Sequence, residues 1–300
     1  ASDSGIYGKM YKMLSQYDPV TGQFALANTP EAKAAYLREA EYRNTDWFDL
    51  LFTNNVQHNH SVSVSSGNDK AHYYASLSAM DDRGWTLQNG VSRYTANLNT
   101  TYNISKKLSL SMVSNASYRK QKAPGTLSSD IDAVSGEVKR DFDINPYSYA
   151  LRTSRTLDPD EFYTRNYAPF NIKHELANNY IDLSVLDTKF QAEIKAKPIK
   201  GLELAALGSV RYQLSMTEHN IKDNSNQAEA YRAAATKIIQ SLNPYLYKDP
   251  DNPTGDKYTV LPQGGILKKN DYSALSMDFR ASGTYNTAIA DKHIINAFAA

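Results

Sequence analysis

The chain has 300 residues, a formal net charge of +1 and no cysteine. The near-neutral charge argues against a nucleic-acid partner, and the lack of cysteine excludes disulfides and thiolate metal sites. No apolar window reaches about 18 residues and no signal peptide stands at the start, so no membrane-spanning helix is expected. A polar chain with 22 tyrosines and the strand pattern described below is typical of a β-barrel.

The first segment, residues 1–57, lacks the alternating pattern of a strand. Within it, residues 31–43 are rich in alanine and glutamate, which favour helix. Asn44, Thr45 and Asp46 follow directly and are residue types that end helices and start turns. The pattern predicts a short helix that packs ahead of the first strand.

Eight strands follow, in which apolar and polar side chains alternate. Phe190, Ala192 and Ile194 share one face of a strand, whereas Gln191 and Glu193 lie on the other. Polar turns join neighbouring runs into hairpins. The predicted strands cover residues 58–66, 70–81, 91–104, 108–122, 182–198, 202–219, 271–286 and 292–300. Because the last run continues to Ala300, we expect further strands in the parent protein.

The connections between these strands are short and long in turn. The short ones lie near Gly67, Lys106, Pro198 and Ala290. The long ones cover residues 81–90, 123–181 and 220–270, and the third contains a helix-forming stretch at 226–246. Because the long connections alternate with the short ones, all of them emerge from one rim, as the extracellular loops of outer-membrane barrels do.

Strand length indicates which face of the sheet contacts water and which contacts lipid. Strands in soluble sheets usually have about 5 to 6 residues, whereas a strand that crosses a membrane needs about 9 to 11. The runs that begin at residues 91, 108, 202 and 271 exceed the soluble length, so we expect their apolar face to contact lipid and their polar face to line a lumen. A soluble barrel with the apolar face inside matches the alternation equally well, but not the lengths or the loop asymmetry.

Residues 44–90 resemble the start of the barrel in the SusC/RagA family of TonB-dependent outer-membrane transporters. The matching residues are Asn44, Thr45, Asp46, Trp47, Gln57, His60, Ser61, Val62, Ser63, Gly67, Tyr73, Tyr74, Ser76 and Gly84. The sequence departs from the family at Ser65 and Ser66, which precede Gly67 where the family usually has paired glycines. The rest of the chain agrees in strand spacing and in its large loops.

The resemblance implies an all-β fold, part of an antiparallel transmembrane barrel of 22 strands, in the outer membrane of a Gram-negative bacterium. It implies that residues 1–57 connect a plug to the barrel and that residues 58–300 are the N-terminal part of the barrel. It also implies active import of an oligosaccharide or peptide, a SusD-like surface lipoprotein lid, and TonB coupling through a segment absent from this sequence. Outer-membrane lipid would surround the barrel.

The candidate ligand-binding residues are of two kinds. Three are polar residues predicted to face the lumen near the outer rim, and four are tyrosines of the long loops, whose rings suit sugars and peptides. They are Arg119, Arg211, Gln213, Tyr163, Tyr167, Tyr245 and Tyr247. A second group of tyrosines has the lipid-facing parity near strand ends, which predicts an interfacial girdle; these are Tyr94, Tyr102, Tyr118, Tyr212 and Tyr285.

Other chemistries find little support in the sequence. His58 and His60 share a strand face but lack a third metal ligand. The loop at residues 249–256 contains three aspartates but lacks the spacing of a calcium loop. Asp158 and Glu161 are surface carboxylates on a polar loop rather than a glycosidase pair. We therefore expect no metal, no cofactor and no catalytic site. The alternatives to an active importer are a passive porin-like barrel and a soluble or surface-attached β-rich glycan-binding module.

Overall fold

The computed structural model describes residues 5–125, 130–131, 138–139, 142, 144–289 and 293–300. Its helices are α1 Gly5–Ser15, α2 Pro30–Arg43, α3 Trp47–Leu51, α4 Pro146–Arg152, α5 Ile172–Asn178, α6 Asn226–Ala230 and α7 Lys237–Leu242. Its strands are β1 Tyr17–Asp18, β2 Gln23–Phe24, β3 His58–Gly67, β4 Ala71–Asp82, β5 Gly90–Ser105, β6 Leu108–Pro124, β7 Asp130–Ile131, β8 Val138–Lys139, β9 Tyr163–Arg165, β10 Ala168–Phe170, β11 Asn179–Ala196, β12 Leu202–Ile221, β13 Ile266–Ile289 and β14 His293–Ala299.

Eight of these strands form one antiparallel sheet in the order β14-β13-β12-β11-β6-β5-β4-β3. Each of these eight strands pairs with the one before it and the one after it in the chain, which makes the sheet a simple meander. The short strands β7 to β10 lie in the connection between β6 and β11 and form two separate hairpins. The eight predicted strands and the all-β class, as part of a large antiparallel barrel, are confirmed, whereas the total of 22 strands stays a prediction. β13 starts at Ile266, earlier than predicted, because pairing with β12 continues through the charged residues Lys268 and Lys269.

The two faces of the sheet differ as the alternation predicts. Phe190, Ile194 and Leu204 lie on one face and are 50%, 49% and 44% exposed. The register places apolar residues beside them on the neighbouring strands, such as Leu110 opposite Ile194. In a soluble barrel this apolar face would be the inner one, but the long connections fold over the opposite, polar face, where Ile181 and His219 are 3% and 8% exposed. The exposed apolar face is therefore the one that contacts lipid.

The five girdle tyrosines share this apolar face, and each is at least 37% exposed. Tyr94 pairs directly with Tyr118 towards one rim, and Tyr102 lies towards the other. Eight residues separate Tyr94 from Tyr102, which corresponds to about 27 Å along the strand and about 20 Å across the membrane at the usual tilt. This height agrees with the apolar band of outer-membrane barrels, about 25 Å tall.

The long connections all leave the sheet at one rim, which we call the outer rim. Residues 44–57 also lie there, because Phe52 forms a bridge with Thr86 and the Thr53 N–H donates to the Trp85 carbonyl at 2.8 Å. β3 then runs from this rim towards the short turn at residues 68–70. The proposed connection of residues 1–57 to a plug, and the boundary at residue 57, stay predictions.

The Asn-Thr-Asp-Trp motif has a clear structural role at the outer rim. Asn44 ends α2 in the left-handed conformation with φ 48°. The Thr45 hydroxyl donates to the Leu157 carbonyl at 2.7 Å, and Asp46 caps α3 by accepting from two backbone N–H groups. Trp47 is 3% exposed and its indole N–H donates to the Ser154 carbonyl at 3.1 Å. The motif therefore holds residues 154–157 of the second long connection.

The main hydrophobic core lies at the outer rim rather than between the strands. It contains Trp47, Leu51, Ile144, Ala150, Phe170, Ile172 and Leu176. In the part of the chain that the structure describes, no helix is both long and apolar enough to span a membrane.

Candidate functional site

The long connections pack together into one body, which we call the cap and define as residues 144–178 and 222–265. The cap covers the lumen-facing ends of two strands: Ile181, His219 and Ile221 are 3%, 8% and 2% exposed. Tyr180 and Asn220 lie on the opposite, outward face and are only half-buried. The cap is therefore folded inward over the lumen, and the polar face of the sheet continues below it as the lumenal wall.

Arg211 and Gln213 meet at one carboxylate on this lumenal wall. Arg211 forms a two-point ion pair with Asp187 of the neighbouring strand, with Nε–Oδ1 2.9 Å and Nη2–Oδ2 2.5 Å. The Gln213 amide donates to the same Oδ2 at 3.4 Å. The arrangement holds the guanidinium in a fixed orientation while about half of the Arg211 side chain stays exposed.

Arg119 lies on the same wall, two strands away from Arg211. It is directly opposite Arg93 of β5 and Val185 of β11, and its side chain is exposed. Among the described residues it has no hydrogen bond or ion pair. Val185 lies four residues below the capped Ile181, which is about 13 Å along the strand. The Arg119 guanidinium is thus open to the lumen below the cap.

Two of the loop tyrosines lie in or beside the small hairpin of β9 and β10. The Tyr163 hydroxyl accepts from the Asp158 N–H at 2.7 Å, and burial raises the pKa of this hydroxyl. Tyr167 has a left-handed backbone with φ 64°, and its hydroxyl donates to the Leu242 carbonyl at 3.4 Å. Tyr163 is therefore a packing residue, whereas the ring of Tyr167 is 39% exposed and can contact a ligand.

The other two tyrosines lie in the third long connection. Tyr245 is half-buried, and its ring centroid lies 4.8 Å from Phe142 and 5.6 Å from Tyr231. Tyr247 packs edge-on against Tyr258 at 5.3 Å, and the two residues exchange backbone hydrogen bonds. Tyr247 and Tyr258 are 42% and 50% exposed, so this pair presents an aromatic surface above the rim. The role of all seven candidate residues in binding stays a prediction.

A buried polar network, not predicted from the sequence, fixes the cap to the wall. Glu175, 2% exposed, accepts from the Asn226 N–H at 2.7 Å and from the Asn179 amide at 3.2 Å. The Asn179 amide also donates to the side-chain oxygen Oε1 of Gln227 at 3.1 Å, and the Asn179 Oδ1 atom lies 2.6 Å from Nε2 of His219. Burial raises the pKa of the Glu175 carboxyl, and the hydrogen bonds from Asn226 and Asn179 oppose this rise.

Asn226 extends the same network into the second long connection. Its side-chain amide donates to the carbonyls of Arg165, Ala168 and Pro169 at 2.7, 3.2 and 3.0 Å. The two N–H groups of this amide therefore serve three backbone carbonyls, one of them through a shared bond, in a loop that would otherwise leave these acceptors buried and unpaired. No local sequence pattern marks this role, because the bonded residues are between 57 and 61 positions apart.

Known proteins share this fold and part of this sequence. No protein-family model matches the chain. The TonB-dependent receptor P26 of Formosa agariphila is 30% identical over 108 residues, which cover 36% of this chain and 11% of that receptor. The RagAB peptide importer in its closed-closed state aligns with a TM-score of 0.58 at 19% identity, over 86% of this chain and 25% of that one. The RagAB peptide transporter aligns with a TM-score of 0.58 at 17% identity, over 99% of this chain and 29% of that one.

The fold and its two unlike faces define a segment of the wall of an outer-membrane β-barrel, together with the cap at its outer rim. The resemblance to the SusC/RagA family of TonB-dependent transporters, which residues 44–90 indicate, is confirmed by these comparisons. The predicted location in the outer membrane of a Gram-negative bacterium is confirmed as well. The chain spans about a tenth of the receptor from Formosa agariphila and about a quarter of each RagAB chain.

Proposed function

We propose that the chain is the wall and cap segment of an active importer for a large nutrient, an oligosaccharide or a peptide, with energy from TonB. The observation that carries this proposal is a sheet with a lipid-facing apolar side and a charged, polar lumenal side, closed over at the outer rim by an inward-folded cap. A solute that enters from outside meets the cap first and the lumenal wall next. The segment has no role as an enzyme in this proposal.

The proposed partners follow from the geometry of the rim. A surface lipoprotein lid would dock on the outer surface of the cap, where Ile238, Leu242, Tyr247, Tyr258 and Val260 are each at least 42% exposed. Coupling to TonB would take place through a segment outside these 300 residues. Exposed large apolar residues clustered above a membrane rim are typical of a surface that another protein covers.

Uptake measurements on the intact transporter test the proposal. Cells that express it are given fluorescently labelled oligosaccharides or peptides too large for passive porins, and uptake is compared between cells with and without functional TonB. We expect uptake that disappears when TonB is removed. Uptake that is independent of TonB would favour a passive porin, and recovery of the protein without detergent would favour a soluble glycan-binding module.

A further inference from the structure

Four cationic side chains form a basic patch on the lumenal wall below the cap: Arg93, Arg119, Lys189 and Arg211. The register places Arg93 directly opposite Arg119 on neighbouring strands and Lys189 directly opposite Arg211. Directly opposite side chains have Cβ atoms about 4.5 to 5.5 Å apart, and like charges at that separation destabilise a sheet. The patch therefore contains two like-charged cross-strand pairs, which work against folding.

One carboxylate lies among these cations. Asp187 lies on β11 between Val185, which is opposite Arg119, and Lys189, and it forms an ion pair with Arg211. The four cations and this one anion give this part of the wall a net charge of +3. Among the described residues, Arg119 and Lys189 have no hydrogen bond or ion pair, and Arg93 has only a long contact with the Met80 sulfur at 3.9 Å. Three positive charges thus face the lumen without a counter-ion among the described residues.

The lower part of the same wall has a different charge pattern. Glu193 pairs with Lys195 at 3.2 Å, and Asp278, which accepts from the Ser209 hydroxyl at 3.2 Å, lies two residues from Arg280. Charges of both signs alternate there, as expected for a wall that only needs to hold water. The excess of positive charge is therefore local to the region directly below the cap. This is the part of the wall that an entering solute reaches first after it passes the cap.

The groups around the basic patch indicate the kind of solute. The side chains beside and between these cations on the lumenal wall are mostly hydroxyls and amides, namely Thr95, Asn97, Asn115, Ser117, Gln213, Ser215 and Ser276. Tyr272 lies on the same row as Arg119 and is 64% exposed, which offers a flat apolar face to a sugar ring. Three apolar side chains lie among them: Met80 is opposite Arg93, Val185 is opposite Arg119 and Ala274 is opposite Gln213. Hydroxyl and amide groups thus outnumber apolar groups across the patch, which suits a sugar better than the apolar residues of a peptide.

We propose that the basic patch binds the carboxylate or sulfate groups of an acidic oligosaccharide during import. The inference rests on the proposed function and adds the charge class of the cargo and two residues, Arg93 and Lys189, to the binding surface. Guanidinium groups suit carboxylate and sulfate oxygens because they donate two parallel hydrogen bonds. An anionic ligand would also relieve the repulsion within the two like-charged pairs.

Binding of charged and neutral probes to the purified intact transporter tests this inference. The probes are oligogalacturonate, oligoalginate and a sulfated carrageenan oligomer, compared with malto-oligosaccharides and oligoglutamate of similar length, all measured by calorimetry. We expect at least one acidic oligosaccharide to bind more tightly than the neutral one. The double variant Arg119→Gln, Lys189→Gln should weaken that binding by about tenfold or more, because it removes two positive charges and their charge-assisted hydrogen bonds to the ligand.

The double variant Lys106→Gln, Lys200→Gln, which also removes two charges, from exposed turns at the opposite rim, is the matched control and should bind as the parent does. Equal affinity for acidic and neutral sugars would overturn the inference, and so would an unchanged affinity in the double variant. Tight binding of oligoglutamate alone would overturn the sugar assignment. None of these results depends on TonB, so they are distinguishable from a failure of the import proposal, which only the uptake measurement reports.

Discussion

The backbone N–H of Asn226 donates to the carboxylate of Glu175 at 2.7 Å, although the two residues are 51 positions apart. This hydrogen bond joins the first turn of α6 to α5, and it therefore joins the third long connection to the second. Both residues are almost fully buried. The hydrophobic core at the outer rim packs the first part of the cap, and this buried polar contact fixes the second part of the cap to the first.

Glu175→Ala should loosen the cap. The substitution leaves the Asn226 N–H and the Asn179 amide with fewer acceptors in a buried site, and each unsatisfied donor costs about 1 to 3 kcal/mol. Hydrogen exchange of the intact transporter in detergent should show faster exchange in residues 222–231. Glu41→Ala, on an exposed face of α2, removes the same charge and should leave the exchange unchanged. Equal protection in the two variants would show that the network does not hold the cap.

The raised pKa of Glu175 predicts the sign of a pH effect. Because the folded cap binds this proton more tightly than an open cap does, stability increases as the pH falls through the raised value and the gain is complete below the ordinary glutamate pKa, about 4.3. Glu175→Gln removes this titration. The difference in unfolding temperature, variant minus parent, should therefore increase with pH. The contributions of His174, which precedes Glu175 on α5, and of His219, which contacts Asn179 in the same network, cancel because both histidines are present in both proteins. A difference that is constant with pH would contradict the prediction.

Gly125 should tolerate no side chain. A Cβ atom at this position would lie 2.0 Å from Asn179 Oδ1 and 2.6 Å from His219 Nε2, and both residues are buried. Gly125→Ala should therefore destabilise the cap by about 1 to 3 kcal/mol, as overpacking usually does. Gly208→Ala is the control, because its Cβ would meet nothing within 4 Å. Thermal unfolding of the two variants should differ, and equal unfolding temperatures would disprove the close packing at Gly125.

The strands were predictable from the sequence because their signal is local. Period-two alternation is visible within a single strand, so seven of the eight predicted strands start within three residues of the observed ones, and β13 is the exception. The helix at residues 31–43 was predictable for the same reason. Its capping Asn44 and the N-cap Asp46 of the next helix are only two positions apart in the sequence.

The site was predictable only in part, because its contacts depend on register and on distant residues. Alternation places Arg119 and Arg211 on the lumenal face, but only the pairing of β5 with β6 shows that Arg93 lies opposite Arg119. The partners of Glu175 lie on a loop 51 residues away. No spacing rule connects such positions, so the polar network could not be predicted from a single sequence.

Leu77→Arg tests the lipid-facing assignment directly. Leu77 lies near the middle of β4 on the apolar face and is 60% exposed. Arginine near the middle of a bilayer costs a barrel about 2 to 4 kcal/mol, so the intact transporter should unfold from lipid at a lower denaturant concentration. Ser76→Arg, one position away on the lumenal face, should have little effect. If Ser76→Arg were the more damaging of the two, the faces would be reversed.

Asp187→Asn should increase the affinity of the basic patch for acidic oligosaccharides. The substitution removes the one carboxylate of the patch, raises its net charge from +3 to +4 and releases Arg211 for a ligand. Stability should change little, because a partly exposed ion pair contributes about 0 to 1 kcal/mol. Asp69→Asn, in the exposed turn at the opposite rim, makes the same change in total charge. Tighter binding should therefore occur in Asp187→Asn alone, and equal affinities would place the anionic ligand elsewhere in the transporter.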